Sequence, residues 1–183
     1  MKKQHIYNNI NGWFNFTDIY GKMVKNAENG AHFVEIGTCF GKSASFMAVE
    51  IANSGKTITF DTIDTFKGSP SELHSTHKFF LSLDVYQIAT YNLHELPVNV
   101  IKGNSVDVSK QYKNKSLDFV FIDGSHEYKD VKADIKAWSK KVKKGGYIGG
   151  HDYSDHEGVR KAVIEVFGEC PAGETSWMYQ LPL

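Results

Sequence analysis

The sequence predicts an α/β fold, with a mainly parallel sheet covered by helices on both faces. Three observations predict it. Short apolar runs alternate with helix-period patterns along most of the chain. The first run passes through a glycine-bearing loop directly into a helical pattern. Each predicted parallel strand ends in acidic, amide, histidine or small polar residues, as expected where strand ends form a ligand-binding rim.

The first segment holds Trp13, Phe14 and Phe16 and reads as a capping helix or arm over residues 1–30. "HFVEIG" (32–37) is a buried strand, and Ala44, Met47, Ala48 and Ile51 then recur at helical spacing. "TITFDTID" (57–64) is the second strand. A polar, turn-rich stretch (65–77) precedes a helical candidate over 78–96, which Pro97 limits. "VNVIKG" (98–103) and the nearly continuous apolar "LDFVFID" (117–123) are the third and fourth strands. Val131, Ile135, Trp138 and Val142 mark one stripe of a helix, where Trp138 packs into the core. "GGYIGG" (145–150) is a fifth strand, Val159, Val163 and Val166 a last helix, and "SWMYQL" (176–181) a terminal strand.

A chain of 183 residues with 41% hydrophobic and 23% charged residues suits one soluble domain with a sizeable core. Formal net charge is zero, so bulk attraction to nucleic acid or anionic membrane is not expected. Lys140, Lys141, Lys143 and Lys144 read as a solvated helix end. Cys39 and Cys170 give neither a disulfide framework nor metal-knuckle spacing, and a reduced, cytoplasmic setting fits. The N-terminus lacks the apolar stretch of a secretory signal, and no run has the roughly 18 apolar residues of a membrane span.

The loop after the first strand, "VEIGTCFGKSA", contains Gly41-Lys42-Ser43. A phosphate-binding P-loop needs a glycine where Ile36 stands, so the loop is one residue short of that motif. It also departs from G-x-G-x-x-G, reading Glu35-x-Gly37-x-x-x-Gly41-x-Ser43. Glycines permit positive φ and close approach of a ligand, and the following helix start offers unpaired N–H groups. Glu35 repels pyrophosphate but tolerates an ammonium or cationic ligand.

"FVEIGTCFGKSASFMA" resembles the first motif of class I S-adenosylmethionine-dependent methyltransferases. The resemblance continues through "IDTFKG", "VIKGNSVDVSKQ", "LDFVFIDGSHEYKDVKADIKAW", "KKGGYIGGHDY" and "GVRKAV", from about residue 31 to 167. Together these look like the small methyltransferase family that includes sugar and antibiotic O-methyltransferases. The resemblance implies a Rossmann-like, mostly parallel sheet of seven strands or slightly fewer, with the catalytic domain over 31–183. It implies that Glu35, Gly37 and Gly41 surround the methionine part of the cofactor, with Thr38 and Ser43 also among the cofactor-binding residues. Asp64, with Thr65, would meet the ribose hydroxyls, for which a carboxylate offers paired acceptors. Asn104 and Ser105 would sit by the adenine, or cap a turn; Asp123 would close the cofactor site.

Asp123 and Asp152 end the fourth and fifth strands. If the strands are neighbours, the two ends lie roughly 5 Å apart. Two carboxylates so placed repel unless a cation intervenes. Some of the O-methyltransferases this chain resembles hold Mg²⁺ there, often with two acidic residues at the second strand end; here the pair is His151-Asp152. His126, His151 and Asp123 are the candidate catalytic residues, with one of the two histidines as the base that takes a hydroxyl proton; His74 and His77 are solvated loop histidines or face substrate from a lid. Cys39 is a small filler in the loop. The expected activity is methylation of a small-molecule or sugar hydroxyl, with substrate selection by the arm, the 65–80 stretch, the tail or a partner subunit. An exposed arm suits a homo-oligomer. A non-catalytic module binding S-adenosylmethionine or its product, a nicotinamide-dependent oxidoreductase and a P-loop phosphotransferase are the alternatives.

Overall fold

The computed structural model describes residues 2–68 and 83–183. Seven strands form one sheet: β1 (Ala31–Ile36), β2 (Ile58–Asp64), β3 (Asn99–Lys102), β4 (Leu117–Ile122), β5 (Val142–Gly150), β6 (Pro171–Ala172) and β7 (Ser176–Gln180). Their order is β3-β2-β1-β4-β5-β7-β6. β1 to β5 are parallel, and β7 runs antiparallel to both β5 and β6. The order reverses between β1 and β4, which is where sheets of this kind bind ligands.

The described helices are α1 (Thr17–Asn26), α2 (Lys42–Ser54), α3 (Val85–Leu93), α4 (Ser105–Ser109), α5 (Tyr128–Trp138) and α6 (Glu157–Phe167), with a 3-10 turn at Tyr7–Asn9. Strand alternation sends their partners to two cores. Val34, Ile36, Val120 and Ile122 join Ile135 and Trp138 of α5 and Val159 and Val163 of α6. Phe33, Phe119 and Phe121 join Ile19 and Tyr20 of α1 and Met47 and Ile51 of α2 on the other face. The helices thus cover both faces, as the near-continuous apolar strands require.

Several boundaries differ from the sequence reading. β5 begins at Val142, which pairs with Leu117 and is not part of the α5 stripe. Gly145, at φ +73°, sits early in that strand and masked its start in the sequence. Val166 lies on an exposed side of α6, while Val159 and Val163 are buried. The helix expected over 78–96 is described only as α3, capped by the Asp84 carboxylate accepting from Gln87 N; residues 78–82, like His74 and His77, lie outside the described residues. The short α4 and β6 have too few residues to show a period and were missed. Among the described residues no helix is long and apolar enough to cross a membrane.

Candidate functional site at the carboxyl ends of β1, β4 and β5

Backbone hydrogen bonds carry the ladder one step beyond the strand ends. Gly37 N donates to Ile63 O (2.8 Å), Asp123 N to Ile36 O (2.7 Å) and His151 N to Ile122 O (3.1 Å). Gly37, Asp123 and His151 therefore stand side by side on one rim. Gly37 is at φ +99°, and a Cβ there would collide with the Asp123 carbonyl oxygen. Only glycine lets the β1 loop cross so close to β4.

Asp64 organises that loop. Its Oδ2 accepts from Thr38 N (2.9 Å) and Cys39 N (2.8 Å), and its Oδ1 from Phe66 N (2.7 Å). These bonds hold Cys39 and Phe66 at positive φ, where neither residue rests easily. Gly41 closes the loop as N-cap of α2 at φ +88°, with no side-chain cap. The first N–H groups of a 13-residue helix thus face the rim without a side-chain acceptor. Lys42 starts that helix.

Glu35 lies beneath the loop, fully buried. Tyr20 Oη donates to its Oε1 (2.7 Å) and Thr62 Oγ1 to its Oε2 (2.6 Å). Thr62 has one proton to give, so Thr38 is the donor in the 2.7 Å Thr38–Thr62 contact. Burial pushes the Glu35 carboxyl up to about 7, although hydrogen bonds from Thr62, Ser43 and Tyr20 pull the other way. The side chain ties loop, sheet and α1 together from below and does not reach the rim surface. Ser43, also buried, joins this group and does not face the rim.

Asn104 and Ser105 are committed to local structure. Asn104 Oδ1 accepts from Asp107 N (3.3 Å) as the N-cap of α4, and Ser105 Oγ accepts from Trp138 Nε1 (2.7 Å). Thr65 Oγ1 accepts from Lys67 N (3.3 Å).

The strand ends of β4 and β5 carry a dense charged cluster. His151 Nδ1 lies 3.1 Å from Asp152 Oδ1 and 3.5 Å from Asp123 Oδ1. Its Nε2 faces Asn15 Oδ1 (2.7 Å) and Thr175 Oγ1 (2.8 Å). Carboxylate and amide oxygens accept only, so both ring nitrogens carry protons and the ring is an imidazolium. Burial alone would lower its pKa, but Asp123 and Asp152 outweigh burial and hold it up to about 10. Burial keeps Asp123 above the usual carboxylate range, offset in part by His151. For Asp152 burial is overcome by hydrogen bonds from His126 and His151, which hold the carboxyl well below that range. The positive charge expected between the two carboxylates is supplied by histidine. This arrangement does not fit Mg²⁺, whose hard ion takes an all-oxygen shell.

Asp152 is a non-glycine residue at φ +62°. Oδ2 lies 2.9 Å from His126 Nε2. An ionised carboxylate accepts, so Nε2 carries the proton and a neutral His126 ring has its lone pair on Nδ1. The His156 ring stacks on His126 with centroids 3.9 Å apart. Gly158 permits this: a Cβ there would run into the His126 carbonyl oxygen.

A family model described as a methyltransferase domain matches residues 34–153. The chain belongs to this methyltransferase family. The matched span begins in β1 and ends just past Asp152, so it contains the whole rim. Membership implies S-adenosylmethionine as cofactor and agrees with the resemblance read from the motifs. An uncharacterized protein of Acanthamoeba polyphaga mimivirus, R132, is 30% identical over an alignment covering 65% of this chain and 63% of that protein. An uncharacterized protein of Sinorhizobium fredii, y4gI, is 21% identical, with 83% of this chain matching 16% of that protein. The chain thus spans under two thirds of the length of these relatives.

Among solved structures, the O-methyltransferase NovP superposes with a TM-score of 0.71 at 17% identity, covering 91% of this chain and 79% of NovP. The calicheamicin methyltransferase CalS11 gives 0.59 at 12% identity, covering 89% and 77%. A Corynebacterium glutamicum protein gives 0.62 at 16%, covering 96% and 85%. At these identities the likeness is one of fold.

The methyltransferase rim fits the cofactor in two respects. The uncapped start of α2 suits its carboxylate. Asp64 spends three of about four acceptor sites on backbone N–H groups, which leaves one for a ribose hydroxyl. Glu35 and Ser43, by contrast, act from beneath. Sequence reasoning missed Tyr20, Asn15, Thr175 and His156. Asn15 and Thr175 are 160 residues apart, and no local pattern links them.

Proposed function

We propose that this chain is an S-adenosylmethionine-dependent methyltransferase that acts on a hydroxyl of a small molecule or sugar. The observation that carries the reading is the His126–Asp152 pair on the rim beside Gly37 and Asp123, at the switch in strand order. The bound cofactor supplies an activated methyl group on sulfur. The chain's task is then to align an acceptor oxygen and accept one proton. His126 takes the hydroxyl proton, and Asp152 holds its tautomer and stabilises the cation that forms. His151, already an imidazolium, is not a proton acceptor near neutral pH. It keeps Asp123 and Asp152 together and fixes the direction of Asp152.

The fold likeness to NovP and CalS11, named as an O-methyltransferase and a calicheamicin methyltransferase, supports a hydroxyl acceptor. The arm supports small-molecule selection, since its Asn15 reaches the charged cluster. The test is calorimetry with S-adenosylhomocysteine, followed by transfer of labelled methyl to a panel of sugars, phenols and macrocyclic alcohols in the presence of chelator. His126→Gln should keep cofactor affinity and lower kcat about 10²- to 10⁴-fold. Tight cofactor binding with no labelled product across the panel would instead favour a non-catalytic binding module.

A further inference from the structure

We propose that His126, Asp152 and His156 form a binding site for a borderline divalent metal ion such as Zn²⁺ or Co²⁺. One ring nitrogen of each histidine and one Asp152 oxygen lie within 4.8 Å of one another. Ligand atoms around such an ion, with bonds of roughly 2.0–2.2 Å, stand about 3.0–3.5 Å apart. The His126 Nε2 to Asp152 Oδ2 distance of 2.9 Å is already there. His156 is stacked on His126, so its ring must turn out of the stack to aim a nitrogen at the same ion, and Gly158 keeps the start of α6 against the His126 backbone while it does.

The chemistry of the donor set selects the ion. Two imidazoles and one carboxylate match zinc and its first-row neighbours, whereas Mg²⁺ wants oxygen alone. A second group, Asp123, His151 and Asp152, is equally compact. There the imidazolium fills the place of a cation: Nδ1–H faces both carboxylates and Nε2–H faces Asn15. The two groups share Asp152, through different oxygens. Oδ1 serves the inner imidazolium and Oδ2 is directed at the outer histidines. Metal uptake at the outer group displaces the proton from His126 Nε2, and the ring takes a proton on Nδ1 in exchange, so it ligates as the other neutral tautomer with no net proton released.

One consequence rests on the methyl-transfer reading: an ion on His126 occupies the proposed base and inhibits transfer. Binding itself does not depend on that reading. The experiment is a titration of the chelator-treated 183-residue chain with Co²⁺, followed by its d–d absorption, with parallel calorimetry for S-adenosylhomocysteine. The expected result is saturable binding at one equivalent. His156→Ala should weaken it by at least about tenfold, and Asp123→Asn, which removes a partner of His151 but no proposed ligand, should weaken it less than His156→Ala does. The His156 side chain makes no cap bond to α6, so its loss does not uncap the helix; thermal melts of each variant check folding. Shifted ring ¹⁵N resonances of His126 and His156 on adding Zn²⁺ would give the same answer without a variant. No saturable Co²⁺ binding in the wild type, or unchanged affinity in folded His156→Ala, overturns the site. Loss in Asp123→Asn with retention in His156→Ala overturns it in favour of the inner group. Cobalt binding without S-adenosylhomocysteine binding would instead sink the cofactor reading and leave the metal site standing.

Discussion

Tyr20 donates its hydroxyl hydrogen to Glu35 Oε1 across 2.7 Å, in a region closed to solvent. Helix α1 is thereby bonded to the strand that delivers the glycine loop. The arm is a structural support of the rim as well as a cover for the sheet.

That bond makes stability depend on pH in a stated direction. Glu35 holds its proton to about 7 in the folded chain, against an ordinary value of 4.5. Between those values the native state binds more protons than the unfolded state, so stability falls as pH rises through the window. The span corresponds to about 3 kcal/mol. Urea melts of wild type and Glu35→Gln from pH 4 to 8 should diverge by an amount of that order, with the wild type losing relative ground as pH rises. Tyr20→Phe removes a donor to the carboxylate, and should cost about 1–3 kcal/mol at pH 8 and less at pH 5. Parallel wild-type and Glu35→Gln profiles would refute the assignment.

Gly37 and Gly30 provide an internal control for backbone crowding. Both have positive φ, +99° and +85°. A Cβ at Gly30 meets nothing within 4 Å, while one at Gly37 collides with the Asp123 carbonyl. Gly30→Ala should cost about 1 kcal/mol, the left-handed backbone penalty alone. Gly37→Ala should cost at least about 3 kcal/mol or abolish folding, because backbone must move against backbone. Equal costs in chemical denaturation would show that the loop yields more easily than its packing implies.

The two alanine variants also mark what the sequence could and could not reveal. The rim was legible because parallel strands end in step: reading polar residues after each apolar run found Gly37, Asp64, Asp123 and His151 without any contact information. The family motifs then gave strand number. Direction was not legible. Glu35 and Gly37 are two residues apart, yet one lies under the loop and the other on the rim, and only the positions of Tyr20 and Thr62 decide this. Asn15 and Thr175 meet His151 because β7 returns antiparallel beside β5, a tertiary fact with no local signature. Val142 continues the helical stripe of Val131, Ile135 and Trp138 in sequence, yet pairing with Leu117 outweighs that periodicity.

Asp64 and Lys42 separate a methyltransferase loop from a phosphate loop. Asp64→Ala leaves the N–H groups of Thr38, Cys39 and Phe66 without their acceptor. It should lower stability by about 2 kcal/mol or more and weaken S-adenosylhomocysteine at least about tenfold. Lys42→Ala should change either quantity by no more than about 0.5 kcal/mol. Calorimetry with both S-adenosylhomocysteine and ATP checks this; ATP binding lost with Lys42 would restore the phosphotransferase alternative.

His151 is expected to stay charged well above neutrality. Its folded value, about 10, lies above the ordinary 6.5 because Asp123 and Asp152 outweigh burial. The native ring then binds more protons than the unfolded one between those values, so its contribution is complete below 6.5 and lost as pH rises through 10. In chelator-treated protein, both His151 ring nitrogens should keep imidazolium ¹⁵N shifts at pH 8. The other end of the ring supplies an independent test. Asn15 Oδ1 and Thr175 Oγ1 receive Nε2–H, so the double variant Asn15→Leu, Thr175→Val removes acceptors that favour the charged ring. It should lower the midpoint by about one unit, the equivalent of one hydrogen bond. A wild-type ring already neutral at pH 8 would mean that the carboxylates do not hold it as a cation, and would return His151 to the role of proton acceptor.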